Sequence, residues 1–259
     1  MTELVIPSTP SDGVLLLQLN RPQARNALDL GLRTALAGAV EAAAADAGVR
    51  VVVITGGDAI FAAGADLKAI AEASAFAMAT GELHRVWGVL AHFPKPLITA
   101  VRGPALGAGC ELAMHGDLVV AGEGALFGQP EIKVGVTPGA GGVQRLIRLV
   151  GRTRAMRMLL TGEAIDGRTA YEWGLASDLA PDREVLDRAL AYAAAIAALP
   201  GFAAAQIKEV ARLGEDLPLE AALALERKSF WLTFGSPDQR EGMTAFLEKR
   251  KPSFNRDPE

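Results

Sequence analysis

Short, uninterrupted runs of β-branched and aliphatic residues constrain this chain more than any other feature. Residues 50–55 read RVVVIT and stop at Gly56-Gly57. Residues 97–101 read LITAV and stop at Arg102-Gly103-Pro104, and residues 117–121 read DLVVA. Such runs do not alternate apolar with polar, so they predict strands buried on both faces. A further run, VLLLQL at 14–19, ends in the turn signal Asn20-Arg21-Pro22. Between the first two strands, apolar residues recur at helical spacing from Asp29, a candidate N-cap, to Ala47. Strand and helix signals therefore alternate over the N-terminal two-thirds, which predicts an α/β fold.

Past Thr153 the strand signal fades. Residues 154–161, 166–173, 183–199, 202–213, 217–234 and 238–249 all carry helical spacing. The expected organisation is an α/β body over 1–190 followed by a helical region over 191–259. The longest uncharged stretch, 189–207, is mostly alanine and is broken by Pro200-Gly201. It predicts two helices, since a membrane span needs about 20 strongly apolar residues. The start, MTELVIPSTPSDG, has neither the basic nor the apolar region of a secretory signal.

Composition removes several functions. The single cysteine, Cys110, excludes an internal disulfide and any zinc site built on two cysteines, and it predicts a reducing, cytoplasmic setting. His84, His92 and His115 do not have metalloprotease spacing, so no metal site is expected. A net charge of −4 argues against nucleic acid as a partner. No Walker-type phosphate loop and no GxSxG nucleophile elbow occur.

The chemistry is expected where glycine clusters: 61–66 (FAAGAD), 103–111 (GPALGAGCE) and 127–142, which includes FGQPE and TPGAGG. Small residues let a ligand approach the backbone. Gly107-Ala108-Gly109 precedes a helical run, so its N–H groups can stabilise negative charge, either a phosphate or a developing oxyanion. The third glycine of a dinucleotide fingerprint is missing, because Leu112 stands there. Glu111 and Glu131 both lie in apolar, glycine-rich surroundings, where a carboxylate is costly unless paired or used. Two carboxylates facing one pocket can hold a water, one as base and one as acid. Spacing alone leaves a second possibility open: Glu111 as a helix cap and Glu131 as a surface turn residue. Cys110 reads as a packed small residue. His84 and His92, near Trp87 and Phe93, read as packing or surface residues, with pocket lining as the lesser alternative.

At these residues the chain resembles the enoyl-CoA hydratase/isomerase (crotonase) family, and most of all its hydratases. The resemblance runs over LNRPQARNAL (19–28), FAAGADLK (61–68), KPLITAVRGPALGAGCELAM (95–114), FGQPEIKVGVTPGAGGVQRL (127–146), LTGEAIDGRTAYEWGLAS (160–177) and REGMTAFLEKRKPSF (240–254). It implies a crotonase-like spiral of ββα units with a C-terminal helical trimerisation region, assembled as a homotrimer or a dimer of trimers. It implies an acyl-CoA thioester as substrate, with no metal or redox cofactor. Carried across by position, the base and acid of a hydratase fall on Glu111 and Glu131. The oxyanion N–H groups fall on Ala65 and Ala108. Contacts to the substrate and its CoA fall on Ala63, Ala65, Asp66, Leu67, Lys68, Gly139, Phe246 and Lys249. Many members have glycine where this chain has Ala108, but the backbone N–H is retained.

The implied reaction is addition of water to a 2-enoyl-CoA, giving a 3-hydroxyacyl-CoA. A Δ3,Δ2-enoyl-CoA isomerase, which needs only one carboxylate, is the nearest alternative. A non-catalytic CoA- or RNA-binding homologue is the next. The acyl pocket is expected around residues 69–85. The resemblance leaves both neutral and dicarboxylic acyl groups open.

Overall fold

The structure, a computed structural model, describes residues 3–254. Strands β1 (Val5–Ser11) and β2 (Val14–Leu19) form an antiparallel hairpin, followed by α1 (Leu30–Ala45) and β3 (Val51–Thr55). Three short helices, α2 (Leu67–Ile70), α3 (Ala75–Thr80) and α4 (Arg85–Ala91), lead to β4 (Leu97–Val101). Then come β5 (Pro104–Leu106), α5 (Ala108–Ala113), β6 (Leu118–Gly122) and β7 (Leu126–Gly128). The chain continues through α6 (Gly142–Val150), α7 (Arg152–Thr161), β8 (Ala164–Asp166), α8 (Gly167–Trp173) and β9 (Asp178–Ala180). It closes with α9 (Val185–Ala197), α10 (Gly201–Gly214), α11 (Leu219–Thr233) and α12 (Pro237–Leu247).

Among the described residues the strands form two sheets. The larger has the order β1-β2-β3-β4-β6-β9 and is parallel apart from the β1–β2 hairpin. The smaller has the order β5-β7-β8. Residues of β3 explain the layering. Val52 and Ile54 pack with Leu32, Leu36 and Val40 of α1, whereas Val51 and Val53 pack with Ala189, Ala193 and Ala197 of α9. The period of two thus sends alternate side chains into two cores, which is why the run is continuously apolar. Alanines at four-residue intervals on α9 let that helix lie close to the sheet.

The division expected at 190/191 falls inside α9, all of which packs on the sheet. The helices that leave the core begin at α10, which has no buried residue. In α11 and α12 only Ser229 and Ala245 are buried, while Trp231, Phe246 and Leu247 stand exposed. Two further differences concern strands. β8 and β9 lie past the point where the strand signal fades, and each has only three residues. β1, which the sequence does not reveal, carries Pro7 and Pro10 and buries only Val5. A proline-bearing edge strand lacks the alternation that marks a strand. Among the described residues no single helix is long and apolar enough to cross a membrane.

Candidate active site

The loop after β2 holds the first wall of the site. Asn26 is buried and accepts from the Arg21 N–H at 2.9 Å, and its amide donates to Gly56 O at 2.8 Å and Phe61 O at 3.2 Å. Backbone bonds from Ala63 N to Arg25 O (3.0 Å) and Leu28 N to Gly64 O (2.8 Å) then fix residues 63–65 beside that loop. Arg21 bridges Asp29 (3.3 Å) and Asp66 (2.9 Å). The same strip meets β5 through Ala62 N to Pro104 O (3.1 Å) and Leu106 N to Ala62 O (3.0 Å). A Cβ on Gly64 would lie 3.9 Å from Ala108 N, so the backbones at 64–65 and 108 are close neighbours. Neither Ala65 N–H nor Ala108 N–H has an acceptor among the described residues, and both residues border one cavity of about 330 Å³. Two adjacent unused N–H groups can receive an oxygen that gains negative charge.

Glu111 and Glu131 border the same cavity. Glu111 sits in α5 and is 2 % exposed. Its Oε1 accepts from Ala140 N at 2.7 Å and Gly142 N at 2.8 Å, where α6 begins. Glu111 is therefore neither a solvent-facing group nor a cap for its own helix. Burial raises its pKa, and the two N–H donors, Arg33 and His84 oppose that rise by stabilising the anion. Glu131 lies in the 3-10 turn Pro130–Val134. The buried Gln129 amide, turned so that its nitrogen faces the carboxyl, donates to both Glu131 oxygens at 3.0 and 3.2 Å. Burial pushes Glu131 up to about 7; its own N–H pulls the other way, and the neighbouring Glu111 charge adds to the rise. Two carboxyls on one cavity thus sit in different settings, Glu111 on two backbone N–H donors and Glu131 raised by burial, an asymmetry that can separate a base from an acid.

Glycine is required at two points here. Gly107 has φ 50°, a left-handed conformation, and a Cβ there would lie 3.0 Å from Glu131 Oε1. A Cβ on Gly142 would lie 2.8 Å from Pro138 Cβ and 2.9 Å from both the Gln129 side-chain amide and Glu111 Oε1.

The family model described as enoyl-CoA hydratase/isomerase matches residues 9–257. The chain belongs to the enoyl-CoA hydratase/isomerase family. It is 47% identical to the 2,3-dehydroadipyl-CoA hydratase of Escherichia coli K12, over 98% of this chain and 99% of that protein. It is 41% identical to the crotonyl-CoA hydratase of Syntrophomonas wolfei, over 92% and 93% of the two chains. Among solved structures, an enoyl-CoA hydratase from Bacillus anthracis superposes with a TM-score of 0.93 at 32% identity, covering 97% of this chain and 99% of that one. The fold of this family member is accordingly the crotonase-like one, a mixed α/β spiral followed by helices.

Of the residues that the family resemblance points to, the structure gathers Ala63, Ala65, Leu67, Ala108, Glu111, Glu131 and Gly139 around the cavity. It does not bring Asp66, Lys68, Phe246 or Lys249 to its lining. Asp66 instead caps α2 through Lys68 N (3.2 Å) and pairs with Arg21, whose hydrogen bond holds its carboxyl below the usual range. Phe246 is 82 % exposed in the single chain, and Lys249 lies beyond the end of α12. Cys110 is fully buried, and burial beside two carboxylates pushes its thiol up, so it has no nucleophilic thiolate.

Arg33, Trp87 and His84 line the cavity as well, and of these the sequence singles out only His84 as a candidate. Behind them His115, also buried, donates from Nδ1 to Glu111 O at 2.8 Å and stacks on Trp87 with centroids 5.6 Å apart. Burial, with Arg145 nearby, pushes His115 down to about 4, so it is neutral at pH 7. An unfolded histidine titrates near 6.5. The stability this gives is present above that value and is lost as pH falls through the folded value. Denaturant titration is expected to show wild type losing about 3 kcal/mol more than His115→Gln between pH 7 and pH 4. Equal losses would mean that His115 is not buried neutral.

Proposed function

We propose that this chain is an enoyl-CoA hydratase that adds water syn across a 2-trans-enoyl-CoA to give a 3-hydroxyacyl-CoA. The observation that carries this reading is the pair Glu111 and Glu131 on one cavity, differently hydrogen-bonded and adjacent to two unused N–H groups. The names of the relatives, 2,3-dehydroadipyl-CoA hydratase and crotonyl-CoA hydratase among them, support the same reaction.

The thioester oxygen accepts from Ala65 N–H and Ala108 N–H, which draws electron density from C3. One such donor is worth about 2.7–4 kcal/mol in acyl chemistry. Glu111, held as an anion by Ala140 N–H and Gly142 N–H, takes a proton from a water shared with Glu131 as its oxygen attacks C3. Glu131 donates a proton to C2, and the enolate-like charge returns from the thioester oxygen. Each step uses protein groups, substrate and water alone, so the proposed reaction needs no metal or redox cofactor. Incubation with crotonyl-CoA is expected to bleach the conjugated thioester absorbance. Gain of that absorbance from a 3-enoyl-CoA, without loss from crotonyl-CoA, would favour the isomerase and overturn the proposal.

The unequal carboxyls set the pH dependence. Glu111 must be ionised and Glu131 protonated, so kcat/KM is expected to fall on the alkaline side with an apparent pKa near 7. A flat profile from pH 6 to 9 would contradict that assignment. For assembly, we read the exposed Phe230, Trp231, Phe246 and Leu247 on α11 and α12 as surface that copies of this chain bury in a trimer or dimer of trimers. Light scattering after size exclusion is expected to give three or six times the 27.0 kDa chain mass, and a monomer would refute it.

A further inference from the structure

A second cavity, of about 520 Å³, lies between α4, the C-terminal end of α5, α6 and α10. It shares no lining residue with the cavity that holds the two glutamates. Arg145 of α6 and Lys208 and Arg212 of α10 line it, together with the acids Asp117 and Glu215. Asp117 is already committed: it pairs with Lys208 at 2.8 Å and accepts from Leu97 N–H at 2.7 Å. Lys208 is committed too, since it also donates to Lys95 O at 2.9 Å. The two arginines differ. Neither guanidinium has a hydrogen bond or an ion pair among the described residues. Arg145 is half-buried, yet each of its nitrogens keeps accessible surface. Glu215 is the remaining acid in the lining; its charge acts on Arg145 without forming an ion pair. His115 completes this wall. Its Nδ1 donates to Glu111 O, so Nε2 of the neutral ring is an acceptor, unpartnered and accessible among the described residues. A partly desolvated guanidinium facing a cavity is costly unless an anion uses it.

We propose that this second cavity is a binding site for free phosphate, held by the Arg145 and Arg212 guanidiniums, with its hydroxyl on His115 Nε2. Planar guanidiniums present paired N–H donors that match phosphate oxygens. Phosphate at pH 7 carries both ionised oxygens and a hydroxyl. The cavity offers donors for the first and an acceptor for the second. Sulfate has no hydroxyl at that pH, and the dianion of a phosphate ester has none either, so both leave Nε2 facing an oxygen that cannot donate. Two arginines outweigh Glu215, the one acid left to oppose an anion. The site also touches the catalytic geometry. Arg145 stands one turn after Gly142 on α6, and the Gly142 N–H is one of the two donors on Glu111. Bound phosphate joins that helix to α10, where the chain leaves the core.

Calorimetry on the full-length protein titrates inorganic phosphate at pH 7, with chloride holding the ionic strength constant. One phosphate per chain is expected, with a matching rise in melting temperature. Arg145→Met is expected to weaken binding about tenfold or more, and Arg212→Met severalfold, as loss of charge-assisted hydrogen bonds should. Arg148→Met is the control. It lies on the same helix but pairs with Asp216 outside the cavity, so affinity should stay within about twofold of wild type. Sulfate and ribose 5-phosphate are each expected to bind severalfold more weakly than phosphate. Absence of both heat and thermal shift in wild type would overturn the inference. So would binding that survives in both cavity variants, or displacement of phosphate by hexanoyl-CoA, which would place the ion in the first cavity. Should Arg145→Met fail to fold, Arg212→Met, an exposed position, decides. Sulfate or ribose 5-phosphate binding as tightly as phosphate would overturn the assignment of the free ion and of the His115 contact.

Discussion

Glu111→Gln and Glu131→Gln are each expected to lower kcat by about a thousandfold or more, with the Kd for a saturated acyl-CoA within severalfold of wild type. Gln matches Glu in shape but can neither take the water proton nor give one to C2, and such proton transfers are typically worth about 10²–10⁴ in rate. The two variants differ in a second way. Glu131 has a raised pKa, so its ionisation opposes folding: the folded state keeps its proton up to about pH 7, while the unfolded chain loses it near 4.5. Stability is thus lost as pH rises between those values. Glu131→Gln should therefore melt above wild type at pH 8, with the difference shrinking toward pH 4.5. Thermal melts at several pH values, run beside the kinetics, check both parts. A variant that keeps near-normal turnover removes its glutamate from the mechanism.

Gly142→Ala is expected to cost about a hundredfold in kcat while leaving acyl-CoA affinity nearly unchanged. The added methyl would stand 2.9 Å from Glu111 Oε1, 2.9 Å from the Gln129 side-chain amide and 2.8 Å from Pro138 Cβ. Real Cβ contacts do not come so close, so the start of α6 or the carboxylate must move. Displacement of about 1 Å in a catalytic group is enough for a hundredfold loss. The overpacking should also lower stability by about 1–3 kcal/mol. Steady-state kinetics with denaturant titration checks the pair of effects. Unchanged kcat would mean that the Gly142 N–H does not set the position of Glu111.

The parts of this fold legible in the sequence are those whose physics is local. Residues 51–55 and 97–101 are buried on both faces, so their apolar runs announce strands directly. Asp29 caps α1 through Leu32 N–H at 2.8 Å, and Asp166 caps α8 through Thr169 N–H at 2.7 Å, as short polar residues before a helix should. β5, β7, β8 and β9 have three residues each, too few to show a period, and they exist because tertiary pairing holds them. Glu111 and Glu131 stood out because carboxylates among glycines and apolar residues are costly. What spacing could not decide was whether they meet, since that depends on α6 and the Pro130–Val134 turn folding over α5.

Arg33 did carry a signal, a cation at an apolar position of a helical repeat, but α1 lies far in sequence from the glycine segments that drew the site. His115 gave none. Its value lies in one bond to the Glu111 carbonyl and one stacked ring, neither visible without the fold. Asp66 has a structural part that the resemblance does not reveal: its side chain caps a helix and pairs with Arg21 across the loop.

Product analysis in heavy water bears most directly on the claim that the two glutamates and the paired N–H groups hydrate an enoyl thioester. Crotonyl-CoA is incubated with the protein in D₂O and the product is read by NMR. The predicted result is 3-hydroxybutyryl-CoA with a single deuterium at C2, on the face that accepted the oxygen at C3, and with formation suppressed in both glutamine variants. Unchanged crotonyl-CoA, deuterium scrambled over both C2 faces, or exchange without a hydroxyl at C3 would contradict it.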